Sequence, residues 1–157
     1  MPDKYIKTLV LSGSLAPWQL LIMLATWSWY GHCHFITSDG TILDANGLHG
    51  GVKERDQSKP WFGWETHYDL AKTFPKAVLR MLYEKAVSQI GKPYDWSWIA
   101  GFLINNRSWQ KQTAWVCFEY AAWVLARNLH VDKNLARITG RQLSRICKVN
   151  LSLADEK

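Results

Sequence analysis

Four side chains able to do chemistry crowd into GHCHFITSDGTILDA, residues 31 to 45: His32, Cys33, His34 and Asp44. Successive side chains of a strand point to opposite faces, so His32 and His34 share one face while Cys33 points away. A regular strand therefore cannot close these three on one zinc ion, and no CxxC or HExxH supplies further ligands. No metal and no cofactor is expected. A second candidate, Cys117, lies in WVCFEYAAWVL near the start of an expected helix. Unpaired backbone N–H groups and the helix dipole there favour the thiolate, the form of sulfur that attacks a carbonyl. Such a nucleophile needs an imidazole within hydrogen-bond reach, and the imidazole needs a polar group to fix its tautomer and orientation.

The hairpin can supply both, depending on its turn. With Ser38, Asp39 and Gly40 as a three-residue loop and Gly40 left-handed, Thr37 lies opposite Thr41, and Asp44 falls across from His34 and diagonal to His32. A two-residue loop moves Asp44 to the opposite face from both imidazoles.

The elements that must position these groups follow from pattern. Residues 4 to 12 alternate as a strand closed by Ser12-Gly13-Ser14. A helix begins near Pro17 and is expected to be buried, because LAPWQLLIMLATWSWYG is apolar but interrupted and too short for a membrane span. GHCHFIT and TILDA form the hairpin, NGLHGG is a glycine-rich loop, and VKERD is a short segment. Residues 57 to 73 lack periodicity and are expected to be a long loop that selects substrate. PKAVLRMLYEKAVSQIG is a helix, with Val78, Met81, Leu82, Ala86 and Ile90 as its apolar positions. GKPYDW is a turn and SWIAGFLI a short apolar segment. AWVCFEYAAWVLARNLH is a helix, and Thr139 with Gln142 forms a capping box for a last helix through Cys147. One α+β domain spanning residues 1–157 is expected, an antiparallel sheet packed against helices.

These motifs resemble a known family. GHCHFITSDGTILDA is similar to the G-H-V-G-I-Y…H-A hairpin of NlpC-type cysteine peptidases of papain-like fold, whose base histidine precedes a second polar residue by twelve positions, the step from His32 to Asp44. WVCFEYAAWVL resembles the segment that opens the family's nucleophile helix. GKPYDW resembles its G-x-P-Y turn, and GGVKERD its G-V-x-x-R segment. Histidine before cysteine marks the circularly permuted branch. The resemblance implies a permuted papain-like fold over roughly residues 4 to 128, with Cys117 as nucleophile, His32 as base and then acid, Asp44 as orienting group and Tyr94 as a hydroxyl near the oxyanion. Hairpin geometry alone would hand Asp44 to His34, which stands as the alternative base. Phe118 replaces the usual small residue after the cysteine, and Asp44 replaces a more usual His or Glu. His34 is an extra imidazole; an Asp can orient a histidine well, so these three departures are compatible with activity in a crowded or altered pocket.

Composition bounds the reading. The chain has 157 residues, 48% hydrophobic and 20% charged, which is the balance of a folded globule rather than a disordered chain. Its 10 Trp are expected mostly in the core or at subunit contacts, since each carries a large apolar area. A net charge of +6 favours an anionic partner, but the basic residues are spread out, so nucleic acid is not expected. Three cysteines, Cys33, Cys117 and Cys147, make no disulfide framework. The resemblance implies a cysteine hydrolase cleaving an amide, foremost a peptide bond of bacterial peptidoglycan. An acyltransferase or thioesterase, and a non-catalytic virion module, are the alternatives. No export signal is read, so synthesis in the cytoplasm and delivery to the cell wall through a phage tail or secretion-system proteins are expected. Membrane contact through the Trp-rich helix is left open.

Overall fold

The N-terminal alternating segment forms β1 (Ile6–Ser14), near the middle of a six-stranded antiparallel sheet in a computed structural model that describes residues 3–56, 63–104, 113–129 and 137–153. With β2 (His32–Thr37), β3 (Ile42–Asn46), β4 (Gly51–Arg55), β5 (Gly63–Asp69) and β6 (Ser152–Leu153), the strand order is β4-β3-β2-β1-β5-β6. The α+β class and the antiparallel sheet are thus present. The hairpin adopts the three-residue loop: Gly40 has φ +87°, and the Thr37 N–H donates to the Thr41 carbonyl at 3.0 Å. Asp39 locks this turn, its carboxylate accepting from the Thr37 and Thr41 hydroxyls and pairing with Lys4 at 2.5 Å. Phe35 then faces Leu43, which sets the register that puts Asp44 across from His34.

The segment from 57 to 73 is not a long loop where it is described. Residues 63–69 form β5, paired with β1 over its whole length, and Leu70–Thr73 form the short helix α2, capped by the Asp69 carboxylate. Backbone pairing with a central strand stabilises β5 although its sequence, GWETHYD, shows little apolar alternation. Residues 57–62 of that expectation lie outside the described residues.

The remaining helices are α1 (Pro17–Thr26), α3 (Lys76–Val87), α4 (Trp96–Leu103), α5 (Cys117–Leu125) and α6 (Gly140–Asn150). α3 buries Leu79, Leu82 and Ala86 at helical spacing, with Met81 turned outward, and it packs on β1 and α5; it ends at Val87, so Ile90 lies in the turn beyond it and is exposed. α5 packs across β2 and β3, and all its residues except Trp123 are buried. α6 starts on the expected capping box, with Thr139 and Gln142 each bonding the other's backbone. α1 departs from expectation: it buries Ile22, Met23 and Thr26 but leaves Leu20, Leu21 and Leu24 in solvent. The tryptophans depart likewise. Trp18, Trp27, Trp29, Trp64 and Trp96 are exposed, Trp115 and Trp123 are partly buried, and Trp98 is fully buried.

Candidate active site

Cys117 is the first residue of α5, after Val116 in an extended conformation and without a side-chain cap. The backbone N–H groups of that first turn are therefore free to support negative charge on the sulfur. A short parallel bridge positions the other wall. Trp115 donates its N–H to the Pro93 carbonyl at 3.0 Å, and Asp95 donates to the Trp115 carbonyl at 3.1 Å, which lays Tyr94 beside the strand that enters α5. The turn carrying Tyr94 is tied in turn to β4 by reciprocal bonds between Val52 and Gly91/Lys92. Gly51 permits this approach: its φ is +131°, and a Cβ there would stand 2.0 Å from the Lys92 carbonyl oxygen.

His32 opens β2, at the end of the sheet. Its Nε2 lies 2.7 Å from Asp44 Oδ2, and the ring is also within hydrogen-bonding range of the Cys117 sulfur, a contact for which Nδ1 remains. Four residues singled out in the sequence, Cys117, His32, Asp44 and Tyr94, thus meet in one place, the Tyr94 hydroxyl also reaching the sulfur. His34 does not hold Asp44. Strand twist turns the carboxylate to its diagonal neighbour, and the His34 ring instead stacks on His32 at 6.0 Å between centroids.

The electrostatics follow from burial and pairing. Asp44 has no exposed side-chain surface; burial would raise its carboxyl, but the hydrogen bond and charge of His32 and the Arg55 guanidinium at 3.0 Å hold it well below the usual carboxylate range. Burial would also favour a neutral His32, yet Asp44 and the Cys117 sulfur together raise its imidazolium to about 10. Cys117 is opposed by desolvation and favoured by hydrogen bonds from Cys33 and His32 and by the imidazolium charge, and its thiol settles at about 5. Burial and the adjacent charge of His32 push His34 down to about 3, leaving it neutral. Burial and the neighbouring thiolate raise Tyr94, so its hydroxyl stays protonated. Both shifts favour a thiolate beside an imidazolium.

Cys117 has no exposed surface, while the His32 side chain is 13% exposed and borders two hollows. One, of about 30 Å³, is walled by Gln19, Gly31, His32, Tyr94 and Trp96. The other is a cleft of about 390 Å³ with Ser12, His34, Arg55 and Trp64 among its walls. Phe118 does not crowd them: its ring lies under Gly140 at the start of α6. Three contributors had no assigned role in the sequence. Arg55 shares the Asp44 carboxylate, and the G-V-x-x-R segment was its only signal. Cys33 reaches the same sulfur as His32, because Cys117 lies at the sheet's end, where the alternation of faces no longer separates neighbours. Gln19 borders both hollows, with Oε1 buried and without a partner among the described residues. His67 pairs with Glu65 at 2.9 Å, His49 is exposed, and His130 lies outside the described residues.

No protein-family model matches the chain. No curated protein matches it either. Among solved structures, the chain is similar to the crystal structure of the metalloprotein yiiX from Escherichia coli O157:H7, described as DUF1105, at a TM-score of 0.65 and 15% identity over 98% of this chain and 97% of that one. That likeness shows the fold alone. The resemblance to permuted NlpC-type peptidases is corrected accordingly: with no family match, and a structural neighbour described as a metalloprotein of DUF1105, the chain is not assigned to that family. Three short motifs fix a few residues of 157, too little to specify descent. Among the described residues no group of three or more His, Cys, Asp and Glu side chains could hold an ion, and Asp44 Oδ2 already takes His32 and the Arg55 cation. Among the described residues, the lining of this site does not fit a metal centre.

Proposed function

We propose that the protein is a cysteine hydrolase that cleaves an amide through an acyl-enzyme. The observation that carries this reading is the convergence of the Cys117 sulfur with a His32 ring held by Asp44 at 2.7 Å. The thiolate attacks the carbonyl carbon while the Cys117 backbone N–H and the Tyr94 hydroxyl face the developing oxyanion. Gln19, whose amide borders the same hollow, gives the substrate carbonyl a further polar contact. The C–N bond breaks as His32 passes its proton to the leaving amine, leaving a thioester on Cys117. Neutral His32 then takes a proton from water, the hydroxide attacks the thioester, and the acid leaves as thiolate and imidazolium are restored. Asp44 keeps the ring aimed throughout, and Arg55 keeps Asp44 ionised.

The order of histidine on a hairpin before cysteine on a helix supports a permuted papain-like arrangement of this α+β fold. A net charge of +6 suits an anionic wall polymer, so a peptide bond of peptidoglycan is the proposed target, reached through a phage tail or secretion machine. The apolar outer face of α1 favours a second reading, an acyltransferase or thioesterase acting on lipid-like acyl groups. Incubation of purified peptidoglycan with the protein and with Cys117→Ala tests the first. New free amino groups from the wild type alone support it. Acyl-thioester turnover without peptidoglycan cleavage transfers the chemistry to the second reading, and inertness toward both leaves a non-catalytic module.

A further inference from the structure

The stretch from Thr8 to Ser38 contains no Asp, Glu, Lys or Arg, and α1 lies in its middle. Among the described residues only one side of that helix is covered. Leu20, Leu21 and Leu24, the last 66% exposed, form an outward face, and the chain continues through Trp27 at 85% and Trp29 at 78%. Trp27 closes the helix in the left-handed conformation with φ 49°, which places an exposed indole at the helix end. A helix apolar on both faces is unstable against water unless something covers it.

The neighbouring surface indicates what does. Trp29, Tyr30 and Trp64 form one side of a groove of about 510 Å³, and Arg141, Arg145 and Lys148 of α6 form the other. Their spacing of four and three puts the three cations on one face of α6, and no acidic residue lines the groove among the described residues. The Trp64 indole donates to the Trp29 carbonyl at 2.9 Å, fastening the aromatic rim. Exposed leucines, indoles at their margin and cations beside the indoles match, in that order, acyl chains, the headgroup boundary and anionic headgroups. A second copy meeting this face with its own would set the three cations against their like, with no acidic residue among the described lining to meet them, and nucleic acid would leave the leucines uncovered. Ten residues of α1 are too few to cross a bilayer, and no described helix is long and apolar enough to do so.

We propose that the outer face of α1, with Trp27, Trp29 and the basic face of α6, docks the protein in the plane of an anionic lipid surface. Trp18 and Trp64 also border the cleft beside His32, so the cleft opens at the edge of this face. The test is co-sedimentation of the full chain with vesicles of phosphatidylglycerol and phosphatidylcholine against vesicles of phosphatidylcholine alone, with quenching of tryptophan fluorescence by brominated acyl chains. Two variants are used: Arg141→Gln with Arg145→Gln, and Leu24→Gln with Trp27→Asn, since Asn tolerates the left-handed cap. Binding to the anionic vesicles is expected to fall about 25-fold in the first, from roughly fivefold per lost charge. It should fall at least about tenfold in the second, with unchanged circular dichroism and most of the quenching lost. Absence of anionic preference, or binding that neither variant weakens, overturns the proposal. So does a concentration-dependent dimer that Leu24→Gln/Trp27→Asn dissolves in a protein that ignores vesicles. Vesicle binding is read without substrate, so it stands or falls apart from the hydrolase reading.

Discussion

Thiol reactivity as a function of pH separates a poised nucleophile from three buried cysteines of similar character. Cys117, with its thiol near 5, is almost wholly thiolate at pH 7, whereas Cys147, raised by burial to about 12, has about 10⁻⁵ of its thiol ionised. Thiolate fraction alone would make Cys117 about 10⁵ times faster. Lower basicity also lowers nucleophilicity, and over seven units a Brønsted slope of about 0.4–0.5 removes a factor of roughly 600 to 3000. The net expectation is a rate about 30- to 150-fold above that of Cys147 at pH 7. Access does not create this difference, because Cys33, Cys117 and Cys147 are all buried. The assay is reaction with a small disulfide reagent from pH 4 to 10, each cysteine read by mass spectrometry of its peptide. Cys117 should plateau from about pH 6 to 9, while Cys147 climbs about tenfold per pH unit. In Asp44→Asn the plateau should move to higher pH, since His32 loses the partner that keeps it charged. A Cys117 rate rising tenfold per unit between pH 6 and 8, or running parallel to Cys147, would refute the thiolate–imidazolium pair.

Other outcomes follow from the same geometry. Asp44→Asn should lower kcat by about 10²–10⁴ and, by leaving Arg55 and His32 without a buried carboxylate, cost about 3–5 kcal/mol in urea unfolding. Stability should also fall on acidification. The lowered Asp44 carboxyl contributes fully above its ordinary value near 4, and that contribution is lost as pH falls through the folded value; urea midpoints from pH 7 to 2 should decline, less steeply in Asp44→Asn. At the other end, the contribution of His32 is complete below about 6.5 and lost as pH rises through about 10. Gly51→Ala should destabilise by more than about 1 kcal/mol and detach the Tyr94 turn, seen as a lower melting temperature with reduced Cys117 reactivity. Thr139→Ala should remove a helix cap worth about 1 kcal/mol, lowering the melting temperature by roughly 2–4 °C without altering Cys117.

Much of this was determined by the sequence alone. The capping box at Thr139, the helix after Pro75, the hairpin itself and the place of Cys117 at a helix start are local matters of turn chemistry, caps and period, and each is written in neighbouring residues, whereas the length of the hairpin loop was left open until the fold chose three residues. Tertiary structure decided what depends on distant partners. Residues 63–69 became β5 because β1 offered a complete ladder of backbone bonds, which no periodicity in GWETHYD could announce. Asp44 went to His32 rather than to the His34 opposite it, because strand twist and the shared Arg55 aim the carboxylate diagonally. Cys33 joined the Cys117 sulfur because α5 starts over the end of the sheet, and α1 kept an apolar face in solvent because the core needed only its other side. Hydrophobic pattern records which residues can be buried; only the packed chain settles which of them are.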